Sequence, residues 1–308
     1  MSLPNTTPNY YINTAINLCV ISYEDIGDIT GEVQSGLNVT WGPAQLVSDF
    51  GISYSLMYIV NNSTTGEYFV VIRGTNPTSL YAWISEDFDV GSSNPLNSVT
   101  GFPSGVNTNG AIISTASYNG ITDLLSLQDP CSGLTALAYL QSVYTSSPFY
   151  LYVTGHSLGG TLTPVLYAYL NAVLYNGVLN NNMALWSFAG LAAGGDAFNN
   201  FLNSLITSGS GWRVQNNLDI APLLFWNQSA VEAIYDPTNP WHSISPEAAI
   251  LDHPFKIANA SGVGYEQPTG GGVVLTGTLI TTDFWVLQAA AQHHSFTYQS
   301  LVQSQFPQ

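Results

Sequence analysis

The chain has 308 residues, of which 3 are Lys or Arg and 19 are Asp or Glu, giving a formal net charge of −16 at pH 7. Charged residues make up 7% of the sequence, against about 25% in an ordinary soluble protein, so the net charge reflects missing cations. Three cations cannot form the basic surface that nucleic-acid binding requires, nor a polybasic membrane anchor. With 45% hydrophobic and 12% aromatic residues, the sequence predicts a folded chain rather than a disordered one.

The hydrophobic pattern switches between strand and helix spacing along the chain. The predicted elements, in order, are a helix at 9–24, strands at 54–60 and 68–73, helices at 111–127 and 134–145, a strand at 149–154, a helix at 157–176, strands at 184–190, 212–215 and 273–279, and helices at 284–292 and 296–303. A short polar segment separates the first two strands, so we predict that they form a hairpin. The alternation predicts an α/β fold, with helices flanking a central, mostly parallel sheet, in one domain over residues 1–308.

Two stretches lack a regular pattern. Residues 91–111 are rich in Gly, Ser and Asn and are predicted to form a surface excursion, and residues 226–282 are irregular apart from the one strand. Pro164 lies inside the helix at 157–176 and should kink it or weaken its first turns, because proline has no N–H to donate.

The cellular location is only weakly indicated by the sequence. Cys19 and Cys131 are compatible with one disulfide, as in a secreted protein, or with two free thiols. The first residues lack the basic and apolar regions of a signal peptide. We expect an extracellular protein whose leader is absent from this sequence, with a cytoplasmic location as the alternative. No apolar run is long enough to predict a transmembrane helix.

The segment Gly155-His156-Ser157-Leu158-Gly159 joins a predicted buried strand to a predicted helix. A Gly-x-Ser-x-Gly sequence in this context is typical of a sharp turn that holds a serine in a strained, exposed conformation. The glycines are needed because neighbouring backbone passes close by, and the amides at the start of the helix point toward a developing oxyanion. The pattern predicts Ser157 as a nucleophile, and a glycine-rich turn without chemistry is the alternative.

A serine nucleophile requires a base and an acid that orients it. The histidines are His156, His242, His253, His293 and His294, and in the order Ser…Asp/Glu…His the base comes last. The acids between Ser157 and the last pair are Asp196, Asp219, Glu232, Asp236, Glu247, Asp252, Glu266 and Asp283. We favour Asp219 because it follows the carboxyl end of a predicted strand, where α/β proteins bind ligands. A turn-forming aspartate before Ala-Pro is the alternative interpretation.

Five segments, in this order, resemble the motifs of the class 3 (fungal-type) lipase family. They are Phe69–Thr75 followed by Trp83 and Asp87, the turn Gly155–Gly160, Phe188-Ala189-Gly190 with Phe198, Arg213–Pro222 around Asp219, and Gln292–Ser295 with Tyr298. Leu191 stands where the family usually has proline. The resemblance covers roughly residues 54–301 and is nearer to bacterial members than to the secreted fungal enzymes. It implies the α/β-hydrolase fold.

The resemblance also implies roles for single residues. Ser157 would be the nucleophile, Asp219 the orienting acid and His294 the base, with His293 as the alternative. We favour His294 because it lies four residues before Tyr298, as in the family, and because Ser295 would be a suitable N-cap for the last helix. The backbone N–H of Leu158 and Thr75 would form the oxyanion hole. The chemistry needs no cofactor, and no cluster of residues has the spacing of a metal site.

The activity implied by the resemblance is hydrolysis of lipid esters, as by a triacylglycerol lipase acting at a lipid–water interface. The same triad also serves phospholipase A1, feruloyl esterase and polyester depolymerase activities, and a lipase-like binding protein without catalysis is a further alternative. We expect a lid within 76–110, formed by 76–86 or by 91–110. The inserted loops at 226–282 would form an acyl-binding wall, or their aromatic residues would belong to the core.

Overall fold

The computed structural model describes residues 8–47, 53–74, 89–144, 149–206, 211–234, 246–269, 271–280 and 285–307. The helices are α1 (Pro8–Ile21), α2 (Ile29–Glu32), α3 (Thr115–Ser126), α4 (Ala136–Tyr144), α5 (Leu158–Tyr175), α6 (Asp196–Leu205), α7 (Gln228–Ala233), α8 (Pro246–Ala260), α9 (Trp285–His293) and α10 (Ser295–Gln305). The strands are β1 (Asn38–Val47), β2 (Ser53–Asn62), β3 (Glu67–Ile72), β4 (Ser93–Pro95), β5 (Ile112–Ser114), β6 (Tyr150–His156), β7 (Met183–Phe188), β8 (Gly194–Gly195), β9 (Gly211–Asn216), β10 (Tyr265–Glu266) and β11 (Gly272–Leu275).

A seven-stranded sheet in the order β1-β2-β3-β6-β7-β9-β11 forms the centre of the fold. The pairs β1–β2 and β2–β3 are antiparallel, whereas β3, β6, β7, β9 and β11 pair in parallel. The predicted hairpin and the predicted mostly parallel sheet with flanking helices are therefore confirmed. Because the parallel strands end at the same edge, the segments that follow β3, β6, β9 and β11 are brought together there.

Each face of the sheet is covered by its own apolar cluster, as the alternating side chains of a strand require. Tyr68, Val70 and Ile72 of β3 point to the side of α3, α4, α5 and α6. Phe69 and Val71 point to the side of α1 and α10. All six residues of β3 are buried, which is expected of a strand inside a sheet covered on both faces.

A third apolar cluster lies beyond the carboxyl edge of the sheet and contains residues from the stretch 226–282. Its buried aromatic residues include Phe225, Phe255 and Tyr265, and Leu158 packs against it. The prediction that 226–282 is irregular was wrong for 228–233, which form α7, and for 246–260, which form α8 even though Pro254 lies inside that helix. Phe255 and Tyr265 are core residues, whereas Trp241 lies outside the described residues.

Strand β1, helix α5 and the two cysteines differ from what the sequence alone indicates or leaves open. Strand β1 has no counterpart in the sequence-based prediction. Helix α5 runs through Pro164 to Tyr175 and is followed by Asn176 and Gly177, both with positive φ. Cys19 is buried and Cys131 is exposed, and both are free thiols, so they form no disulfide. Among the described residues, no helix is long and apolar enough to span a membrane.

Candidate active site

Ser157 sits at the turn between β6 and α5 with φ 62° and ψ −123°, a conformation that non-glycine residues rarely adopt. Its N–H donates to the carbonyl of Phe188 at 3.0 Å, which ties the turn to the end of β7. A Cβ on Gly155 would lie 2.3 Å from the carbonyl oxygen of Gly159, and a Cβ on Gly159 would lie 2.2 Å from that of Ile72. The predicted reason for these glycines, close approach of backbone, is what the structure shows.

The side chains of Ser157, His293 and Asp219 form a continuous hydrogen-bonded chain. Nε2 of His293 lies 2.8 Å from Oγ of Ser157, and Nδ1 of the same ring lies 2.9 Å from Oδ2 of Asp219. All three side chains are buried, with exposures of 1–2%. The carboxylate fixes the tautomer and direction of the imidazole, so that Nε2 faces the hydroxyl as an acceptor.

The predicted base, His294, does not reach Ser157; the alternative, His293, is the histidine whose ring lies between Ser157 and Asp219. Helix α10 begins at Ser295 rather than at 296, so His294 rather than Ser295 is its N-cap. Nδ1 of His294 accepts the N–H of Phe296 at 3.2 Å, and its ring stacks on that of Phe296. His293 is the last residue of α9 and points into the site. Partial burial and the neighbouring His293 lower the pKa of His294.

Asp219 is held by three donors from three different segments. Oδ2 accepts the hydroxyl of Tyr298 at 2.7 Å in addition to the His293 imidazole, and Oδ1 accepts the N–H of Ala221 at 2.9 Å. Burial and the adjacent Asp219 raise the pKa of Tyr298 well above its usual value, so this hydroxyl keeps its proton. The tyrosine also accepts the N–H of Asn216 at 3.0 Å. The acid is thus oriented at once from the segment after β9, from α9 and from α10.

The predicted oxyanion hole is only partly within the described residues. Leu158 is the first residue of α5, so its N–H has no acceptor inside the helix and lies beside Ser157. Thr75 lies outside the described residues, as do Trp83 and Asp87. Its neighbour Gly74 is close to the nucleophile, because a Cβ on Gly74 would lie 2.9 Å from Cβ of Ser157. The end of β3 therefore reaches the site.

His156, the residue before the nucleophile, lies on the far side of the turn. Its Nδ1 is 2.9 Å from the hydroxyl of Tyr23, and its ring centroid is 5.0 Å from that of His293. Burial, with the nearby His293 as a second cause, lowers the pKa of His156 well below its usual value, so the ring is neutral. Sequence reasoning missed Tyr23, since nothing in the residues around it marks a function.

The sequence of the chain matches the model of a known protein family. A family model described as lipase (class 3) matches residues 69–228, which is more than half of the chain. The chain belongs to the class 3 lipase family. It is accordingly a carboxylic-ester hydrolase that acts on lipid esters. Comparison with the curated proteins finds no sequence match.

Solved structures of lipases share the fold of this class 3 lipase. The crystal structure of M37 lipase has a TM-score of 0.75 and 24% identity, covering 96% of this chain and 93% of that chain. A triacylglycerol lipase from Penicillium expansum has a TM-score of 0.54 and 15% identity, covering 93% and 88%. Lip2 lipase from Yarrowia lipolytica has a TM-score of 0.55 and 13% identity, covering 73% and 76%. The α/β-hydrolase fold of the chain is thereby confirmed.

Of the two candidate lid segments of this lipase, the structure describes 91–110, whereas 76–86 lie outside the described residues. In 91–110, residues 93–95 pair with β5, and Leu96 and Val99 are buried in the cluster around α5. That part of the excursion is therefore anchored to the core.

No group of three or more metal-ligating side chains occurs among the described residues.

Proposed function

We propose that the chain hydrolyses triacylglycerols, with Ser157 as nucleophile, His293 as general base and Asp219 as the residue that orients the base. The observation that carries this proposal is the unbroken chain of hydrogen bonds from Ser157 through His293 to Asp219, at 2.8 and 2.9 Å. The name of the Penicillium expansum structure supports the choice of triacylglycerol among lipid esters. An intact triad also argues against a binding protein that has lost catalysis.

In the first half of the reaction, Nε2 of His293 takes the proton of the Ser157 hydroxyl as Oγ attacks the ester carbonyl carbon. The carbonyl electron pair moves to its oxygen, and the tetrahedral oxyanion accepts the N–H of Leu158 and a donor from Thr75. When the bond to the alcohol oxygen breaks, the imidazolium returns its proton to the leaving alcohol, and an acyl-enzyme remains.

In the second half, water attacks the acyl carbon and gives a proton to His293. The oxyanion forms again, the bond to Oγ breaks, and the proton returns to Ser157 as the fatty acid leaves. Asp219 stabilises the imidazolium in both halves. Its carboxylate stays aligned throughout because it accepts three hydrogen bonds, from Ala221, Tyr298 and His293 itself.

We also propose that the substrate is reached at a lipid–water surface, next to the catalytic histidine. Among the described residues, eleven large apolar side chains are exposed, and five of them lie between 274 and 296. These five are Val274, Leu279, Ile280, Leu287 and Phe296, and we call them the 274–296 apolar set. With a net charge of −16 and three cations, the chain should prefer neutral lipid surfaces to anionic ones.

The proposal for the nucleophile is tested by Ser157→Ala. Hydrolysis of a p-nitrophenyl ester and of an emulsified triacylglycerol should both fall by roughly a thousandfold or more, because the other triad members cannot act without the hydroxyl. Ser304→Ala removes an exposed serine hydroxyl from α10 and serves as the matched control. Activity of the Ser157 variant near that of the control, with equal thermal stability, would refute the assignment.

A further inference from the structure

The hydroxyl of Tyr23 lies between two backbone segments that carry the chemistry. Tyr23 follows the end of α1, where its own N–H donates to the carbonyl of Val20 at 3.1 Å. The hydroxyl receives a backbone hydrogen bond from Gly74, the last described residue after β3. It also lies 2.9 Å from Nδ1 of His156, the residue directly before Ser157.

The protons in this arrangement can be assigned. Since the Gly74 N–H donates to the tyrosine oxygen, the hydroxyl proton remains free to be donated to His156. Nδ1 of His156 is then the acceptor, and the proton of the neutral ring is on Nε2. Burial raises the pKa of Tyr23, so the hydroxyl keeps the proton that it donates.

The backbone at Gly74 is packed directly against Tyr23 and against the turn that carries Ser157, so that no side chain fits there. A Cβ on Gly74 would lie 2.4 Å from the Tyr23 oxygen and 2.4 Å from the carbonyl oxygen of His156. Gly74 precedes Thr75, and His156 precedes Ser157. One hydroxyl thus joins the residue before the proposed oxyanion donor to the residue before the proposed nucleophile.

We propose that Tyr23 is a positioning residue for the oxyanion hole: by bridging Gly74 and His156 it holds Gly74, the residue before the proposed oxyanion donor, against the turn that carries Ser157. The inference rests on the proposed function of Ser157 and Thr75. Tyr23 lies outside the residues matched by the family model, 69–228, so the amino-terminal segment completes a site whose other parts lie further along the chain. An oxyanion donor misplaced by a fraction of an ångström loses stabilisation in the transition state and little in the bound ester.

The test is Tyr23→Phe, which keeps the ring and removes the bridge. For a soluble p-nitrophenyl ester, kcat should fall roughly tenfold or more while KM stays within about twofold, as for a group that acts only in the transition state. The matched control is Tyr58→Phe, because the Tyr58 hydroxyl is buried and donates to the Leu18 carbonyl of α1 at 2.6 Å without touching the site. It should keep the wild-type kcat.

A second pair of variants tests the same bridge from its other end, even where Tyr23→Phe does not fold. His156→Asn keeps an acceptor near the position of Nδ1, whereas His156→Leu has none, so kcat should be higher for the Asn variant. A kcat for Tyr23→Phe within twofold of wild type, an equal fall in Tyr58→Phe, or no advantage of Asn over Leu would overturn the inference. Ser157→Ala separates the two proposals, because only a failure of the proposed function leaves that variant active.

Discussion

The imidazole of His293 is held at both nitrogens, whereas that of His294 serves the backbone of the next helix. His293 lies between Ser157 and Asp219, and His294 accepts the N–H of Phe296. We therefore expect His293→Ala to lose p-nitrophenyl ester hydrolysis by roughly a thousandfold or more, since the serine then lacks its base. His294→Ala should keep most of the activity.

The measurement is kcat/KM for both variants, together with their melting temperatures. Loss of an N-cap costs roughly 1 kcal/mol, so His294→Ala is expected to melt slightly earlier than the wild type while remaining active. An inactive, folded His294→Ala beside an active His293→Ala would show that the hydrogen-bonded arrangement is not the catalytic one.

The sequence reduced the candidate base to two neighbouring histidines and favoured His294, whereas in the structure His293 is the ring between Ser157 and Asp219. Which of two adjacent side chains points into the site depends on where the helix ends. Helix α9 ends at His293 and α10 begins at Ser295, so the break falls at His294. A boundary is the least certain part of a pattern-based prediction, because one residue of error exchanges the two rings. Ser157 and Asp219, which the structure joins through His293, each follow a strand end that the pattern marks.

Helix α5 contains a proline that its surroundings accommodate. Pro164 has no N–H, so the carbonyl of Gly160, four residues earlier, lacks its usual helical partner. The hydroxyl of Ser187 on β7 donates to that carbonyl at 2.8 Å, and both groups are buried. This contact explains why the helix continues through the proline instead of breaking near the nucleophile.

A double-mutant cycle tests this compensation. Ser187→Ala should lower the free energy of unfolding by about 1–3 kcal/mol, because a buried carbonyl is left without a donor. In the Pro164→Ala background, residue 164 has an N–H to donate, so the same serine substitution should cost less. Chemical denaturation of the four proteins measures the difference, and equal costs in both backgrounds would mean that the hydroxyl does not replace the missing bond.

At the level of elements, the sequence predicted those helices and strands whose apolar residues form an uninterrupted pattern. The hairpin of β2 and β3, the buried β6 and the long α5 all have continuous patterns. Strand β1 was missed because Gly42-Pro43 and two further register shifts interrupt its pairing with β2, and these interruptions hide the alternation. Helix α8 was missed because Pro254 lies inside it, where a proline normally argues against a helix.

For the molecule as a whole, the small number of titratable groups does not ensure stability in acid. His156 is buried and neutral, with a pKa well below the value of 6.5 that it has when exposed. Between pH 6.5 and the lowered pKa, the unfolded chain binds a proton at this position and the folded chain does not. Unfolding therefore becomes easier as the pH falls. The loss continues, at up to about 1.4 kcal/mol per pH unit, until the lowered pKa is reached.

Comparison of the wild type with His156→Asn measures this contribution, because asparagine does not titrate. We expect the free energy of unfolding to fall less steeply in the variant between about pH 6.5 and about pH 5. The free energies of unfolding of the two proteins near neutral pH need not be equal, because only the slope of that free energy against pH reports the titration of His156. Parallel curves for the two proteins would show that His156 does not cause the loss of stability in acid.

The position of the 274–296 apolar set gives a prediction for the surface of the whole molecule. Residues 278–280 lie along α9, because Gln292 donates to the carbonyl of Thr278 at 2.8 Å and Gln288 accepts the N–H of Ile280 at 3.2 Å. The exposed Leu287 lies on the same helix, which ends at His293. We therefore expect the proposed lipid contact to lie beside His293.

The double variant Leu287→Ser/Phe296→Ser should weaken adsorption to a neutral triacylglycerol emulsion about tenfold, on the order of 1.4 kcal/mol, because two apolar side chains no longer leave water. Hydrolysis of a soluble short-chain ester should stay near the wild-type rate. The matched control is Val178→Ser/Leu179→Ser, an equally exposed pair between α5 and β7, at the opposite edge of the sheet. If both double variants lose the same activity on the emulsion, or neither does, the lipid surface is not bound beside His293.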